Sequence, residues 1–410
     1  MLSQYVEIIP INDEYVLFNK ANGTLILLSS SDMKIISDNE VSSLNCDLYL
    51  NLKECDMLND TEIVLNTETD FFSIGIEMST ICNLKCKYCY QSNERSRTEI
   101  ERDTIEKILI YAKKVLELHP NFKEISLSFI GGEPLIHKTK LSYIYDRFKY
   151  LAEDKGIVLS VHIDTNGTIP FSDIFTTMDN LNVSISLTNK EDHNLNRGEF
   201  DTIVRNLLSI LPKKTNSINI RYNVNHKNMY EFSSFLSSLR KKLPICTTVE
   251  AMNTDNYEYN KGFRNQLTND EYIKWKSTKA IEAMIKCNYP IAFSLSSGLK
   301  LCYAYQPYSC KVFSDGAVTL CDSMFHDKSK TNIDVIANNP QKLNEIYSEY
   351  KNYDPLLEDD CKNCKDIVLC GGHILCRNTC EFQTKYDIDL FIKSYVKAFK
   401  SGKSDCFVNM

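Results

Sequence analysis

The segment that most restricts what this chain can be is Cys82-Asn-Leu-Lys-Cys86-Lys-Tyr-Cys89-Tyr90. Its three cysteines, at C-x3-C-x2-C spacing, come directly after the apolar run Phe71–Met78. Thiols this close along the chain share one tight loop. Three thiolates can hold three irons of a [4Fe–4S] cube, whose full ligand set is four cysteines, and leave the fourth iron open. A zinc loop or a group of buried thiols competes with this reading on spacing alone.

The chain has 410 residues, 43% of them hydrophobic, enough for two or three domains with substantial cores. Its net charge of −7 is unevenly placed: residues 1–70 carry Lys20, Lys34 and Lys53 against thirteen Asp and Glu. Such an acidic segment suits neither nucleic acid nor an anionic membrane face. No stretch approaches the roughly 20 apolar residues of a membrane span. Met1–Pro10 lacks the basic start and apolar run of a signal peptide, so the expected compartment is the cytoplasm. There, sixteen cysteines argue for metal rather than disulfides. Cys46, Cys55, Cys246 and Cys287 are scattered and read as small buried hydrophobes. Nine cysteines lie from Cys302 onward.

Residues 1–70 read as strands Tyr5–Pro10, Tyr15–Asn19 and Thr24–Leu28, with an Asn22-Gly23 turn before the third. A short helix Asp32–Ser37 follows behind a Ser29–Ser31 cap. From Phe71 the pattern changes to βα repeats. Strands are expected at Phe72–Met78, Ile125–Ile130, Val158–Ile163, Val183–Leu187, Ile218–Val224 and Ile245–Ala251. Helices are expected at Asp103–Leu118, Leu141–Glu153, Phe200–Leu211, Met229–Lys241 and Asp270–Ile285. Strands separated by helix-length segments imply right-handed crossovers and a parallel sheet, an α/β fold. In a barrel of this kind the chemistry sits at the C-terminal ends of the strands.

Further motifs fall at those ends. Gly131-Gly132-Glu133-Pro134 follows the second strand; the glycines permit close backbone approach, and a carboxylate with neighbouring carbonyls can accept hydrogen bonds from an ammonium group. Asp164-Thr165-Asn166-Gly167 ends the third. Ser186-Leu187-Thr188-Asn189 and His193-Asn194-Leu195-Asn196-Arg197 follow the fourth. Together with the cysteine loop, these residues resemble the radical S-adenosylmethionine (SAM) superfamily. The resemblance implies a partial (β/α)6 barrel and a [4Fe–4S] cluster on Cys82, Cys86 and Cys89 that binds SAM. It also implies SAM contacts from Gly131, Gly132, Glu133, Asn166, Ser186 and Arg197, with Arg197 pairing bidentately to the SAM carboxylate. One departure stands out: Thr188 and Asn189 occupy positions where related maturases carry Asp-Gly.

The last third of the chain resembles a SPASM domain, which carries auxiliary [4Fe–4S] clusters. Cys302, Cys310, a Ser314-Asp315-Gly316 turn and Cys321 fit its first half, and Cys361-x2-Cys364-x5-Cys370 with Cys376 and Cys380 fits its second. The family's next cysteine would fall at Ile374, so Cys376 is a substitute. The final ligand is read as Cys380 rather than Cys406, because Asp387–Phe399 then forms the closing helix. Two fully ligated auxiliary clusters are implied. A zinc-knuckle reading of Cys361–Cys380 is the physical alternative. Asp322, directly after Cys321, resembles in position the base of sulfatase-maturing relatives.

The expected organisation is therefore a small strand-rich α+β module at 1–70, a radical-SAM core at 71–290 and a cysteine-rich SPASM domain at 291–410. The first module resembles the peptide-recognition modules of ribosomal-peptide maturases, which add a leader peptide as an extra strand. The implied activity is oxidative modification of a ribosomally made precursor peptide, forming a thioether or carbon–carbon cross-link. An external donor such as a flavodoxin or ferredoxin would supply electrons. The alternatives are a formylglycine-generating sulfatase maturase, a small-molecule radical-SAM enzyme, and a non-catalytic iron–sulfur electron carrier.

Overall fold

The computed structural model describes residues 2–58, 65–66, 70–89, 91, 97–243, 247–253, 265–293, 299–300, 302–321, 324, 328–370 and 387–409. By packing, the chain forms two compact units. One comprises Met1–Glu68, Ile273–Cys302 and Tyr353–Met410; the other comprises Thr69–Tyr272 and Tyr303–Asn352.

The first unit begins with an antiparallel meander of β1 (Val6–Ile11), β2 (Glu14–Asn19) and β3 (Leu25–Ser29). Asn12, at φ 55°, makes the two-residue turn between β1 and β2. Helix α1 (Ser30–Ser37) follows, capped by the Ser29 hydroxyl, which accepts the Asp32 N–H. With α2 (Cys46–Glu54), it closes a small core of Leu17, Leu28, Met33, Ile36, Leu52 and Met57. A second cluster joins Tyr5 and Ala21 to Cys361, Ile367 and Val368. Beside it Lys20, only 3% exposed, pairs with Asp366 at 2.5 Å. The N-terminal meander and the cysteine-rich segment thus share one core. Two short parallel pairs complete the unit: β4 (Leu65–Asn66) with β12 (Leu299–Lys300), and β11 (Ile291–Phe293) with β15 (Phe407–Asn409).

The second unit is a parallel α/β sheet. Strands β5 (Phe71–Glu77), β6 (Glu124–Ile130), β7 (Val158–Thr165), β8 (Leu181–Ser186), β9 (Ser217–Val224) and β10 (Thr247–Asn253) stand side by side in chain order. Helices α3 (Arg102–Leu118), α4 (Lys138–Lys155), α5 (Ser172–Thr177), α6 (Lys190–Asn196), α7 (Phe200–Leu208) and α8 (Phe232–Arg240) provide the crossovers. This is the partial barrel that the repeat pattern implies. Beyond β5 the sheet continues into β13 (Cys310–Val312), which runs parallel to β5, and its hairpin partner β14 (Val318–Thr319). The boundary expected at 290/291 therefore does not part the two units, because Tyr303–Asn352 packs with the core.

Side-chain alternation along the strands sets the two faces apart. Phe72, Ile74 and Ile76 of β5, Leu127 and Phe129 of β6, and Ile218 and Ile220 of β9 are buried; the apolar stripe of α3, Ile105, Ile108, Ala112 and Val115, is buried as well. The intervening positions are polar: Ser128, His162, Asp164, Ser186, Asn219, Arg221 and Glu250. A parallel sheet covered on both faces by helices reads as a continuous apolar run. The clean alternation here leaves one face polar and partly accessible, the inner face of the barrel.

Candidate active site

The C-terminal ends of β5 to β9 converge on the cysteine loop. After β5 the chain turns at Ser79, whose hydroxyl donates to the Thr98 carbonyl and accepts the Ile81 N–H at 2.9 Å. Leu84, 7% exposed, anchors the loop from below. Cys82, Cys86 and Cys89 are all partly accessible, and the Cys89 N–H bonds the Cys86 carbonyl. The Cys82 sulfur accepts the Leu84 N–H at 3.5 Å and lies 3.7 Å from the Asn166 amide. Hydrogen bonds to the sulfurs are one of the means by which a protein tunes an iron–sulfur cluster.

Gly131 and Gly132 meet the loop rather than open space. A Cβ on Gly131, at φ +139°, would lie 2.4 Å from the Ser79 carbonyl oxygen, and one on Gly132 would lie 2.3 Å from that of Ile81. The Gly132 and Glu133 N–H groups donate to those same carbonyls at 2.7 and 2.9 Å. The two glycines thus clamp the start of the cysteine loop to the end of β6.

Two expected SAM contacts also hold the loop and the turn beside it. The Glu133 side chain is fully buried. Its carboxylate accepts from the Leu135 N–H at 3.0 Å, the Thr165 hydroxyl at 2.7 Å and the Asn166 N–H at 2.6 Å. Burial pushes its pKa up against these donors. Three donors on this carboxylate fix the turn after β7, and backbone carbonyls of the same segment are further acceptors beside it. Asn166, 6% exposed, spends its amide on Asn83 Oδ1 at 2.7 Å and on Cys82. Asn83 in turn donates to Thr168 at 2.8 Å. The turn after β7 is a second clamp on the loop.

Arg197 fits its expected part better. It follows α6, and its guanidinium lies 3.4 Å from the Tyr88 hydroxyl, while its Nε is buried without a partner. Burial opposes its charge, but Tyr88, Cys86 and Glu133 nearby hold it protonated. An unsatisfied cationic donor beside the cysteine loop suits a carboxylate. Ser186 ends β8, half-buried, opposite Arg221 in the register. His193 accepts the Thr188 N–H at Nδ1, and burial pulls its pKa down to about 3, so it is a neutral structural ring.

Cys310, expected as an auxiliary-cluster ligand, sits inside the sheet. It lies in β13 against Ile74, is wholly buried, and burial pushes its thiol up to about 12 beside the Tyr111 hydroxyl. Cys310→Ser should leave iron per chain unchanged after anaerobic reconstitution; a loss of iron would restore it to the ligand set. Of the remaining candidates, Cys302 belongs to the first unit and is exposed, and Cys321 belongs to the second and is half-buried. Cys361 is buried and Cys364 half-buried. Asp322, Cys376, Cys380 and the Cys370 side chain lie outside the described residues. Lys311, which sequence reasoning missed, is 2% exposed on β13, and burial lowers its pKa to about 7 near Glu77 and Asp164. No helix among the described residues is long and apolar enough to cross a membrane.

Comparison with known proteins agrees with this geometry. Residues 76–213 match the Radical SAM superfamily model. The chain is 25% identical over 269 residues to the radical SAM cyclopropyl synthase TigE of Paramaledivibacter caminithermalis, a match spanning 54% of this chain and 56% of that protein. It is 24% identical over 370 residues to the cysteine-type anaerobic sulfatase-maturating enzyme of Clostridium perfringens, covering 78% and 92% of the two chains. Among solved structures, anSMEcpe with bound AdoMet and the Kp18Cys peptide superposes with a TM-score of 0.57 at 19% identity, covering 82% of this chain and 98% of that one. Streptococcus suis SuiB bound to its precursor peptide SuiA gives 0.50 at 16% identity, covering 94% and 98%. The chain carries a radical SAM domain and is an enzyme; that domain implies a [4Fe–4S] cluster and SAM.

Proposed function

We propose that this enzyme oxidatively modifies a ribosomally made precursor peptide, joining two of its side chains through a thioether or carbon–carbon bond. The observation that carries the reading is the three-stranded meander β1–β3 attached to a radical SAM core: an antiparallel sheet with an exposed edge can take up an extended peptide as a further strand. Leu27 of the edge strand β3, 45% exposed, would give such a strand apolar purchase.

Cys82, Cys86 and Cys89 would hold the cluster, and Arg197 with Ser186 and the backbone after β6 would hold SAM. When bound, this pair supplies one-electron cleavage of SAM to a 5′-deoxyadenosyl radical. The chain's own work is positioning: the clamps at Gly131-Gly132 and Asn166 fix the loop, and the polar inner face orients the peptide. Cys302, Cys321, Cys361, Cys364, Cys370, Cys376 and Cys380 are the thiols available to auxiliary clusters, with Asp322 as the base and a flavodoxin or ferredoxin as donor.

Formylglycine formation is the second reading, favoured by a match that spans nearly the whole sulfatase-maturating enzyme. The two separate by mass. A precursor peptide treated with the reduced holoenzyme and SAM should lose two hydrogens, whereas a sulfatase-derived cysteine peptide should be unchanged. Loss of two hydrogens together with exchange of sulfur for oxygen in the latter, as –CH2SH becomes –CHO and hydrolysis releases hydrogen sulfide, with no change in the former, would reverse the assignment. Leu27→Asp should weaken precursor binding in fluorescence anisotropy at least tenfold if β3 is the docking edge. Equal binding would remove the meander from recognition. Truncation is the wrong test, because Tyr5 and Ala21 share a core with Cys361 and Ile367.

A further inference from the structure

We propose that Asp192 positions Arg197 and the cysteine loop for SAM; this rests on the assignment of that loop and Arg197 to the cluster and SAM. The case starts with α6. A helix of seven residues has little stability of its own and must be held by tertiary contacts. Its C-terminal end meets the cysteine loop twice. The Asn196 carbonyl accepts the Lys87 N–H at 2.9 Å, and Arg197 reaches the Tyr88 hydroxyl. Where α6 sits therefore decides where the guanidinium and the middle of the loop sit.

The Asp192 carboxylate fixes α6. Oδ1 accepts from Asn196 Nδ2 at 3.0 Å and Asn225 Nδ2 at 2.9 Å, and Oδ2 accepts from Asn228 Nδ2 at 2.9 Å and Thr188 Oγ1 at 3.2 Å. Asp192 is 8% exposed, and its partners are buried to the same degree or more. One carboxylate thus joins the end of β8, the body of α6 and the turn after β9. Asn225 and Asn228 lock that turn by reciprocal bonds to each other's N–H groups. Asn223, near the end of β9, lies beside the Tyr88 hydroxyl. Arg197 and Asn223, both beside Tyr88, are set by segments that Asp192 ties together. The neighbouring His193 ring takes the Thr188 N–H, so the carboxylate is free of backbone duty at that position.

An amide cannot replace this carboxylate. Asn at 192 would face Asn225 and Asn228 amides with one acceptor oxygen and an NH2 group, leaving buried donors opposed. Asp192 touches neither SAM nor substrate in this arrangement; it acts through Arg197 and Lys87.

The test uses the full chain, reconstituted anaerobically, with SAM itself as the probe. Iron and sulfide per chain, SAM affinity by equilibrium dialysis, and the electron paramagnetic resonance spectrum of the reduced cluster with and without SAM are measured for wild type, Asp192→Asn and the double variant Asp192→Asn/Asn228→Asp. The single variant should keep its iron, lose at least tenfold in SAM affinity and lose the SAM-induced spectral change. The double variant restores a carboxylate–amide pair across the 192–228 contact, at the loss of the Asn228 Nδ2 bond to the Asn223 carbonyl, and should recover part of the affinity. Wild-type affinity and spectrum in Asp192→Asn would overturn the proposal. Loss of iron together with SAM, unrescued by the double variant, would also overturn it by making the network a general prop of the fold. A wild type that holds iron but binds no SAM would instead remove the reading beneath it.

Discussion

Cys86→Ala abolishes 5′-deoxyadenosine formation, with at least a thousandfold loss, in anaerobically reconstituted and reduced protein. The magnitude follows from the ligand arithmetic. A cube held by three thiolates has no spare ligand. Cys82 and Cys89 stand on the same loop, and Cys82 is already fixed by Leu84 and Asn166, so neither can move to compensate. The same outcome is expected for alanine at Cys82 or Cys89. Chromatographic measurement of 5′-deoxyadenosine checks it, and near-normal formation in any of the three would exclude this loop as the site. Cys46 and Cys55, on and just after α2 in the first unit, serve as controls whose alanine variants should retain full cleavage.

Gly132→Ala is the second large effect, and it arises from space rather than ligation. The added methyl would lie 2.3 Å from the Ile81 oxygen, 2.5 Å from the Ile81 carbon and 2.8 Å from the Thr80 oxygen. All three are backbone atoms of the cysteine loop, which no rotamer change relieves. Relief requires pulling the loop from β6, with loss of the Glu133 N–H to Ile81 hydrogen bond. Overpacking of this kind costs about 1–3 kcal/mol or more, and the lost hydrogen bond adds about 1 kcal/mol. Because the displaced segment leads directly into Cys82, iron content should fall along with thermal stability. A Gly156→Ala control meets no atom within 4 Å, although its φ of +66° carries some strain. Gly132→Ala with wild-type iron content would show that the clamp does not govern the loop.

Most of the core was legible because its signals are local. Period-two alternation from β5 to β10, with helical stripes such as Ile105, Ile108 and Val115 between the strands, fixes a parallel α/β sheet, and the motifs fall at its strand ends. Several elements escaped, α5 among them, and two are instructive. Helix α6 has no apolar period in Lys-Glu-Asp-His-Asn-Leu-Asn; it exists because Asp192 is tied to Asn225 and Asn228, residues some thirty positions away. Strand β13 is three residues long and joins β5 across more than two hundred residues, so nothing adjacent to Cys310 marked it as a strand residue. Glu133 was found by its motif, but its bonds to Thr165 and Asn166 were not, since those donors belong to the neighbouring turn. In each case a tertiary contact overrode what adjacent residues could tell.

The account stands most directly on one measurement: iron, sulfide and 5′-deoxyadenosine from the wild-type chain after anaerobic reconstitution and reduction with SAM, beside the Cys82/Cys86/Cys89 triple-alanine variant. The expected result is 5′-deoxyadenosine from the wild type alone, with about four more irons per chain than in the variant, the content of one cube. Equal iron in both proteins and no 5′-deoxyadenosine from either would contradict it.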